Sequence, residues 1–195
     1  MLVGLTGGIG SGKTTVAKML AAFDNVVVYF ADDEAKKLMN TSKHIKERLI
    51  EEFSKEVYNS KGVLNRPFLA GIVFSDKEKL KTLNSIVHPV VHQHLQDFLK
   101  THKDKDYILY ENAILFENGS SKLCDKIITV TAPEELRIDR VMKRDNVSYE
   151  EVKNRIKNQW TDEKKTIQSH YLVHNLNITV VNEQIKNIHN KLTES

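Results

Sequence analysis

The sequence is poor in the features that secreted or membrane-spanning chains need. It has a single cysteine, Cys124, which excludes an internal disulfide and agrees with a reducing compartment. No segment approaches the ~18 consecutive apolar residues of a membrane span, and the first residues show no cleavable signal pattern. We therefore expect a cytoplasmic chain with no membrane partner.

Charge of one sign is also lacking. The 29 basic and 26 acidic residues are spread along the chain and leave a net charge of +3, too little to indicate a nucleic-acid surface. With 195 residues and 40% hydrophobic content, the chain is long enough for one well-buried α/β domain with a small appendage. We expect small polyanionic ligands, no nucleic-acid partner and a monomer.

Glycine is scarce as well, with eight in the chain, yet five of them lie in residues 4–12. Residues 7–15, GGIGSGKTT, fit the phosphate-loop pattern G-x-x-x-x-G-K-[ST]. In that pattern backbone N–H groups turn toward the β- and γ-phosphates of a nucleotide, and glycine permits their close approach. Lys13 would supply a positive charge for the phosphates, and Thr14 a hydroxyl ligand for Mg²⁺. The predicted nucleotide-binding residues are Gly8, Ile9, Gly10, Ser11, Gly12, Lys13, Thr14 and Thr15.

The segments on either side of this loop favour a nucleotide site. Leu2–Thr6 is a short apolar run, typical of a buried parallel strand. After the loop, Val16, Ala17 and Leu20 recur at helical spacing, so the positive end of a helix dipole would face the phosphates. The alternative is a glycine-rich turn with an incidental lysine.

A second predicted strand, residues 26–30, ends close to two adjacent acids. Carboxylates at the C-terminal end of a strand lie where α/β sheets bind their ligands. We assign the functional role to Asp32. Asp33 is the alternative, although it could instead cap a helix predicted over residues 34–40.

Residues 107–110, 126–130 and 171–174 predict strands three to five. Residues 31–106 exceed a single crossover, so a helical subdomain must fill them. One of its helices would carry Leu69, Ile72, Val73 and Phe74, and a later one would break at His88-Pro89, because the residue before a proline avoids the α region. Residues 177–181 are ambiguous between strand and helix.

Two basic residues of this helical segment, Arg66 and His88, are candidate site residues. Arg66 follows a predicted turn at a helix start, where positive charge is unfavourable, so a carboxylate or a ligand phosphate should hold it. From spacing alone, His88 is a helix-end histidine packed against a neighbour.

Two carboxylates, Glu111 and Glu117, bound an apolar segment after the third strand. One of them can hold Mg²⁺ through water, as an acid in this region does in many phosphate-loop enzymes. The alternative for Glu117 is a structural ion pair. The sequence leaves open which of the two acids lies nearer the metal.

Three arginines, Arg137, Arg140 and Arg144, recur on one face of a predicted helix. One interpretation is a solvated basic face with nearby aspartates as partners. The other is that these guanidinium groups stabilise the spread negative charge of a phosphoryl-transfer transition state. A second helix, capped by Ser148, follows, and we interpret the two as a movable basic lid.

Taken in order, these motifs resemble those of the dephospho-coenzyme A kinase family, a member of the P-loop nucleoside and nucleotide kinases. The phosphate loop alone is shared by very many enzymes, whereas the later motifs are much more selective. The matching pieces are residues 7–15, Ala31-Asp32, Gly62-x-Leu64-x-Arg66-x-x-Leu69, His88-Pro89, Leu115-Phe116-Glu117, Arg140-x-x-x-Arg144-Asp145, Arg155-x-x-x-Gln159 and Asn175.

The resemblance implies an α/β P-loop three-layer fold with a five-stranded parallel sheet, a helical substrate-binding insertion and a small helical lid. Residues 1–195 would form a single kinase domain. Its core would comprise about residues 1–32, 103–135 and 165–195, with an acceptor-binding insertion of about 33–102 and a lid of about 136–164.

The resemblance also implies a reaction, in which the γ-phosphoryl group of ATP passes to the ribose 3′-hydroxyl of dephospho-CoA to give CoA and ADP. This is the last step of coenzyme A biosynthesis, and Mg²⁺ is the expected metal. Asp32 matches the family's general base, and Lys13 and Thr14 match its phosphate and Mg²⁺ ligands. The remaining matches are the lid arginines Arg140 and Arg144, Asn175 at the adenine edge, and Arg66, His88 and Glu117 on the acceptor side.

The chain departs from the family pattern at three places. Phe30 stands where an acid is usual and Ala113 where a proline is usual. Near Asn175, His170 and His174 replace the usual acids, which could make nucleotide affinity depend on pH.

Two other functions are alternatives. One is a different small-molecule kinase, acting on a nucleoside or nucleotide. The other is a non-catalytic nucleotide-dependent switch or binding module. A guanine-dependent switch would need an N/T-K-x-D element to recognise its base, which the sequence lacks.

Overall fold

The computed structural model describes residues 1–73 and 75–194. The chain forms two compact units. The core unit consists of Met1–Phe30 and His102–Ser195, and the helical unit of Ala31–Thr101. The helical unit is thus an insertion in the sequence of the core unit.

The core unit is built on a five-stranded parallel sheet with strand order β2-β3-β1-β4-β5. Its strands are β1 Leu2–Thr6, β2 Val26–Phe30, β3 Tyr107–Glu111, β4 Lys126–Thr131 and β5 Tyr171–His174. In the centre, Val3 of β1 is opposite Leu109 of β3, and Leu5 is opposite Ile128 of β4. Because β1 and β3 are buried along their whole length, the sequence shows them as continuous apolar runs. The predicted parallel sheet is confirmed.

The described residues contain nine α-helices. Those of the core unit are α1 Lys13–Leu20, α6 Glu134–Asp145, α7 Tyr149–Lys157, α8 Asp162–Ile167 and α9 Ile178–Thr193. Those of the helical unit are α2 Ala31–Thr41, α3 Lys43–Glu52, α4 Arg66–Val73 and α5 Lys77–Thr101. In the part of the chain with described coordinates, no helix is both long and apolar enough to cross a membrane.

The hydrophobic core of the core unit joins the sheet to α1 and α9. These helices bury their apolar faces, as the helical spacing of their sequences predicts. The core includes Val3, Leu5, Leu109, Ile128, Val130 and Val173 from the strands, and Val16, Leu20, Val181 and Ile185 from the helices.

The helix α5 contradicts the predicted break at His88-Pro89. It is one helix with Pro89 inside it, although proline cannot donate a hydrogen bond to the carbonyl four residues earlier. Ile86 and Val87 before the proline and Val91 and Leu95 after it are all buried, so tertiary packing outweighs the local preference. Phe74, predicted to belong to the preceding helix, lies outside the described residues.

Two other helix starts also depend on the structure: one differs from the prediction, and the other resolves a segment that the sequence left ambiguous. α2 begins at Ala31, directly after β2, so Asp33 is not the cap but lies with Asp32 in the first turn, where acids suit the dipole. The ambiguous residues 177–181 open α9, because Asn177 Oδ1 accepts a hydrogen bond of 2.8 Å from the Thr179 N–H and caps it.

Candidate active site

The phosphate loop connects β1 to α1. Gly10 and Gly12 have positive φ angles of 78° and 91°, and a Cβ at Gly12 would overlap the side-chain amide of Asn175. Lys13 begins α1, so its N–H and that of Thr14 have no carbonyl acceptor within the helix. The arrangement offers backbone donors and a helix dipole to an anion.

Lys13 is paired with an acid at the end of β3. Its Nζ lies 3.1 Å from Glu111 Oε1, and both side chains are largely buried. Glu111 is 5% exposed, whereas Thr14 presents its side chain to solvent. Of the two candidate acids, Glu111 therefore lies against the phosphate-loop lysine.

Asn175 and Arg140 both contact the loop. Asn175 Nδ2 donates a hydrogen bond of 2.7 Å to the Ser11 carbonyl. Arg140 donates to the Gly10 carbonyl at 3.4 Å and to the Asn175 carbonyl at 3.2 Å. The buried Ser11 hydroxyl has no hydrogen-bond partner among the residues described. A predicted lid arginine and a predicted adenine-edge residue, distant in sequence, thus both contact the loop.

The other two arginines of α6 have protein partners. Arg137 is buried, with ion pairs of 3.8 Å to Glu134 and Asp162. Burial raises the pKa of Asp162, and Arg137 opposes that rise. The exposed Arg144 donates bonds of 2.7 and 3.0 Å to Asp145, and these lower the pKa of that carboxyl. The local-partner interpretation thus fits Arg144.

Glu117 belongs to a buried cluster after β3. Its Oε1 lies 3.0 Å from Lys165 Nζ and accepts a 2.8 Å hydrogen bond from the Trp160 N–H. Lys165 is fully buried and also donates to the Ala113 carbonyl at 3.0 Å. Burial lowers the pKa of Lys165, and its hydrogen bond to Glu117 opposes that fall. Glu117 Oε2 is buried and unpaired within the described chain, so one oxygen stays available to a ligand donor.

A cavity of about 540 Å³ lies among α6, α7 and α8. Its wall includes Arg137, Gln159 and Asp162. Arg137 Nε and Asp162 Oδ1 are buried and lack hydrogen-bond partners among the described residues. Gln159 Oε1 accepts a 2.8 Å hydrogen bond from the Ile9 N–H, so the cavity adjoins the phosphate loop.

Three predicted site residues belong to the helical unit. Asp32 lies in the first turn of α2, and Arg66 is the first residue of α4. Both side chains are exposed, and neither forms an ion pair or hydrogen bond with any residue that the structure describes. The protein carboxylate considered for Arg66 is therefore not found. His88 is exposed on α5.

The two histidines that replace the usual acids contact the sheet. His170 Nδ1 accepts a hydrogen bond of 3.2 Å from the Ile127 N–H. His174 Nδ1 lies 3.0 Å from Thr131 Oγ1. Both rings contact β4, one near each of its ends.

Sequence reasoning missed Lys165 and gave no role to Gln159. Lys165 lies in a short helix among many charged residues, which are normally solvated. The sequence marks Lys165 only as a lysine four residues after the helix cap Thr161. Many surface lysines occupy such positions, so the pattern does not predict burial.

A phosphate loop between the central strand of a five-stranded parallel sheet and the following helix places the chain in the class of P-loop nucleotide-binding proteins. TT1252 from Thermus thermophilus has a similar crystal structure, with a TM-score of 0.86 and 33% identity, covering 99% of this chain and 98% of that one. Dephospho-CoA kinase from Campylobacter jejuni, at 23% identity, shares the fold with a TM-score of 0.66, covering 100% and 98%.

The family comparison is more specific. The protein-family model described as "CoaE: Dephospho-CoA kinase" matches residues 1–180 of this chain. The dephospho-CoA kinase of Bacteroides fragilis (strain YCH46) is 38% identical over 173 residues, which cover 89% of this chain and 83% of the relative. The chain belongs to the dephospho-CoA kinase family, and the resemblance found in the sequence is confirmed.

Proposed function

We propose that this enzyme transfers the γ-phosphoryl group of ATP to the ribose 3′-hydroxyl of dephospho-CoA, giving CoA and ADP. The family membership carries the proposal. The 3′-oxygen forms a bond to the γ-phosphorus, the bond from that phosphorus to the β,γ-bridging oxygen breaks, and the hydroxyl proton passes to a carboxylate.

The phosphate loop and its neighbours would hold ATP. Lys13 and the backbone N–H groups at the start of α1 would bind the β- and γ-phosphates, and the loop residues from Gly8 to Thr15 would surround them. The buried Ser11 hydroxyl, unpaired in the described structure, supports a polar ligand here. Asn175, which contacts the Ser11 carbonyl, would lie at the edge of the adenine.

The residues beside the loop fit Mg²⁺. Thr14 offers an exposed hydroxyl and Glu111 a carboxylate, and oxygen ligands of this kind are the ones that Mg²⁺ takes. No group of three or more His, Cys, Asp or Glu side chains in the described ranges could hold a metal by itself. We therefore propose that Thr14 binds the ion together with phosphate oxygens, and Glu111 through water. The bound ion would neutralise charge on the β- and γ-oxygens.

Asp32 would be the general base. Its exposed carboxylate has no ion-pair partner among the described residues. It is therefore free to accept the proton of the acceptor hydroxyl. Arg66, His88 and Glu117 would bind the acceptor: Arg66 lacks a carboxylate partner in the described chain, and Glu117 keeps one buried oxygen unpaired. Arg140 and Arg144 would stabilise the developing charge, Arg144 after leaving Asp145.

An acceptor screen tests the proposal. Purified protein is given ATP and Mg²⁺ with dephospho-CoA, nucleosides or nucleoside monophosphates in turn, and ADP release is measured. Fast release with dephospho-CoA alone, with CoA as product, is the expected result. Faster release with a nucleoside or nucleotide would favour the other small-molecule kinase, and binding of ATP without turnover would favour the switch.

We also propose that the enzyme acts as a monomer in the cytoplasm, as the sequence leads us to expect. The lone, unpaired Cys124 supports the compartment, because a reducing environment keeps thiols free. Sedimentation of the purified chain at micromolar concentration tests the monomer, since a dimer would sediment at twice the mass.

A further inference from the structure

The Gln159 side chain, just after α7, contacts the phosphate loop. Its Oε1 accepts a hydrogen bond of 2.8 Å from the Ile9 N–H. Because an N–H can only donate, the amide oxygen must face Ile9. The Ile9 side chain also packs against the small hydrophobic cluster Ile138, Val141 and Val152 of α6 and α7.

The residue next to Gln159 is held in place on three sides. The Trp160 N–H donates to Glu117, and the Trp160 ring stacks on Phe116 with an interplanar angle of 2°. Lys164 Nζ lies 3.5 Å from the centroid of the same ring. Gln159 therefore reaches Ile9 from a backbone that is already fixed.

The loop needs such a support because of its composition. Four of residues 7–12 are glycines, which lose more conformational freedom on ordering than any other residue. Only Ile9 and Ser11 of these six residues carry a side chain. The Ile9 side chain packs against α6 and α7. A loop that is ordered before the ligand arrives binds it more tightly, because less ordering free energy is spent on binding.

We infer that Gln159 is a positioning residue that holds the Ile9 peptide group, so that the phosphate loop is preformed for the β- and γ-phosphates of a nucleotide. The inference deepens the proposed function, and it rests on that function only in that the loop binds a nucleotide's phosphates. Its test uses binding and hydrogen exchange, so it does not depend on which acceptor the enzyme phosphorylates.

Gln159→Leu removes the acceptor at similar size. Gln168→Leu is the matched control, because the exposed Gln168 side chain donates to the Lys164 carbonyl in α8 and to no other group in the described part of the chain. Hydrogen exchange of the Ile9 amide is followed by NMR in the protein alone, and affinities for ADP and AMP are measured by calorimetry. ADP carries the β-phosphate that the loop would bind, whereas AMP lacks it.

We expect Gln159→Leu to speed Ile9 exchange and to weaken ADP binding about 2–10-fold, the worth of one hydrogen bond, with AMP affinity unchanged. The control should alter neither. Gln159→Glu, which keeps an oxygen acceptor, should restore slow exchange. Unchanged Ile9 exchange in Gln159→Leu, or equal losses for ADP and AMP, would overturn the inference. Should Gln159→Leu not fold, Gln159→Asn, whose oxygen is one methylene too short, is judged by the same results.

Discussion

Lys13 Nζ and Glu111 Oε1 form a largely buried ion pair of 3.1 Å that joins the phosphate loop to the end of β3. The pair links nucleotide binding to the stability of the fold. The positive charge of Lys13 neutralises the buried carboxylate of Glu111, and the same charge would bind the phosphates of a nucleotide. Removing one partner leaves the other buried without compensation.

This pair gives the first prediction. Lys13→Met should lower kcat/KM by a factor of at least ~10² through loss of charge stabilisation, and should destabilise the fold by about 3 kcal/mol. The double variant Lys13→Met with Glu111→Gln should recover stability but not activity. Lys18→Met, an exposed lysine on the same helix, is the control in urea unfolding and kinetic assays. Full activity in Lys13→Met would contradict the assigned role.

The second prediction concerns the general base. Asp32→Asn should lower kcat by roughly 10²–10⁴, with the Kd for ATP little changed, because the amide cannot accept the hydroxyl proton. Asp33→Asn is the matched control, since Asp33 pairs with Lys36 at an exposed site. Single-turnover kinetics with dephospho-CoA distinguish them. If Asp33→Asn is the inactive variant instead, the base is Asp33.

The third prediction separates two arginines of α6. Arg140→Ala should weaken ADP binding roughly tenfold, because Arg140 bonds to the Gly10 carbonyl of the loop and to the carbonyl of Asn175, which itself contacts the loop. Arg144→Ala should leave ADP binding unchanged and lower kcat by ~10²–10³. Arg155→Ala, which removes another arginine from Asp145, should affect neither quantity. Equal loss of ADP affinity in the Arg140 and Arg144 variants would disprove the separation.

The fourth prediction follows from Pro89 within α5. Pro89→Ala should raise the free energy of unfolding by about 2 kcal/mol, since it restores a helical N–H donor. Pro67→Ala serves as the comparison, because Pro67 lies in the first turn of α4, where proline is compatible with the helix. Urea titrations measure both. A destabilised Pro89→Ala would mean that the helix requires the proline geometry.

The fifth prediction concerns Cys124. Burial raises the pKa of its thiol to about 12, so almost no thiolate forms near neutral pH. Iodoacetamide should label the native protein very slowly at pH 8, with the rate rising toward pH 10, and should label the urea-unfolded chain quickly. Rapid labelling of the native protein at pH 8 would refute the burial argument.

The sequence predicted the parts of this structure in which one local pattern dominates. All five strands and the phosphate loop follow from apolar runs and glycine spacing. The Ser148 cap also appears as predicted, and Glu151 completes a capping box with it. The predicted break at His88-Pro89 was wrong. Residues on both sides of the proline are buried by tertiary packing, which the local sequence does not show. α8 was missed because six residues are too few to show a periodicity.

The candidate site divides in the same way. The sequence could assign Lys13 and Thr14 to the nucleotide site because the motif fixes their spacing. The contacts of Lys13 with Glu111, and of Gln159 with Ile9, join residues far apart in the sequence. No local sequence pattern predicts which distant residues will pair. The contacts that bring Arg140 and Asn175 to the loop could therefore be seen only in the structure.

The strand order has a consequence for synthesis on the ribosome. β1 and β2 are made first but do not touch, because β3 separates them. β3 begins only at Tyr107. At ordinary elongation rates, β1 and β2 are therefore synthesised on the order of ten seconds before the strand that pairs with both of them. During that time their backbone groups and apolar side chains have no sheet partner. A chaperone that captures nascent chains should therefore engage this protein before β3 emerges, and release it soon after.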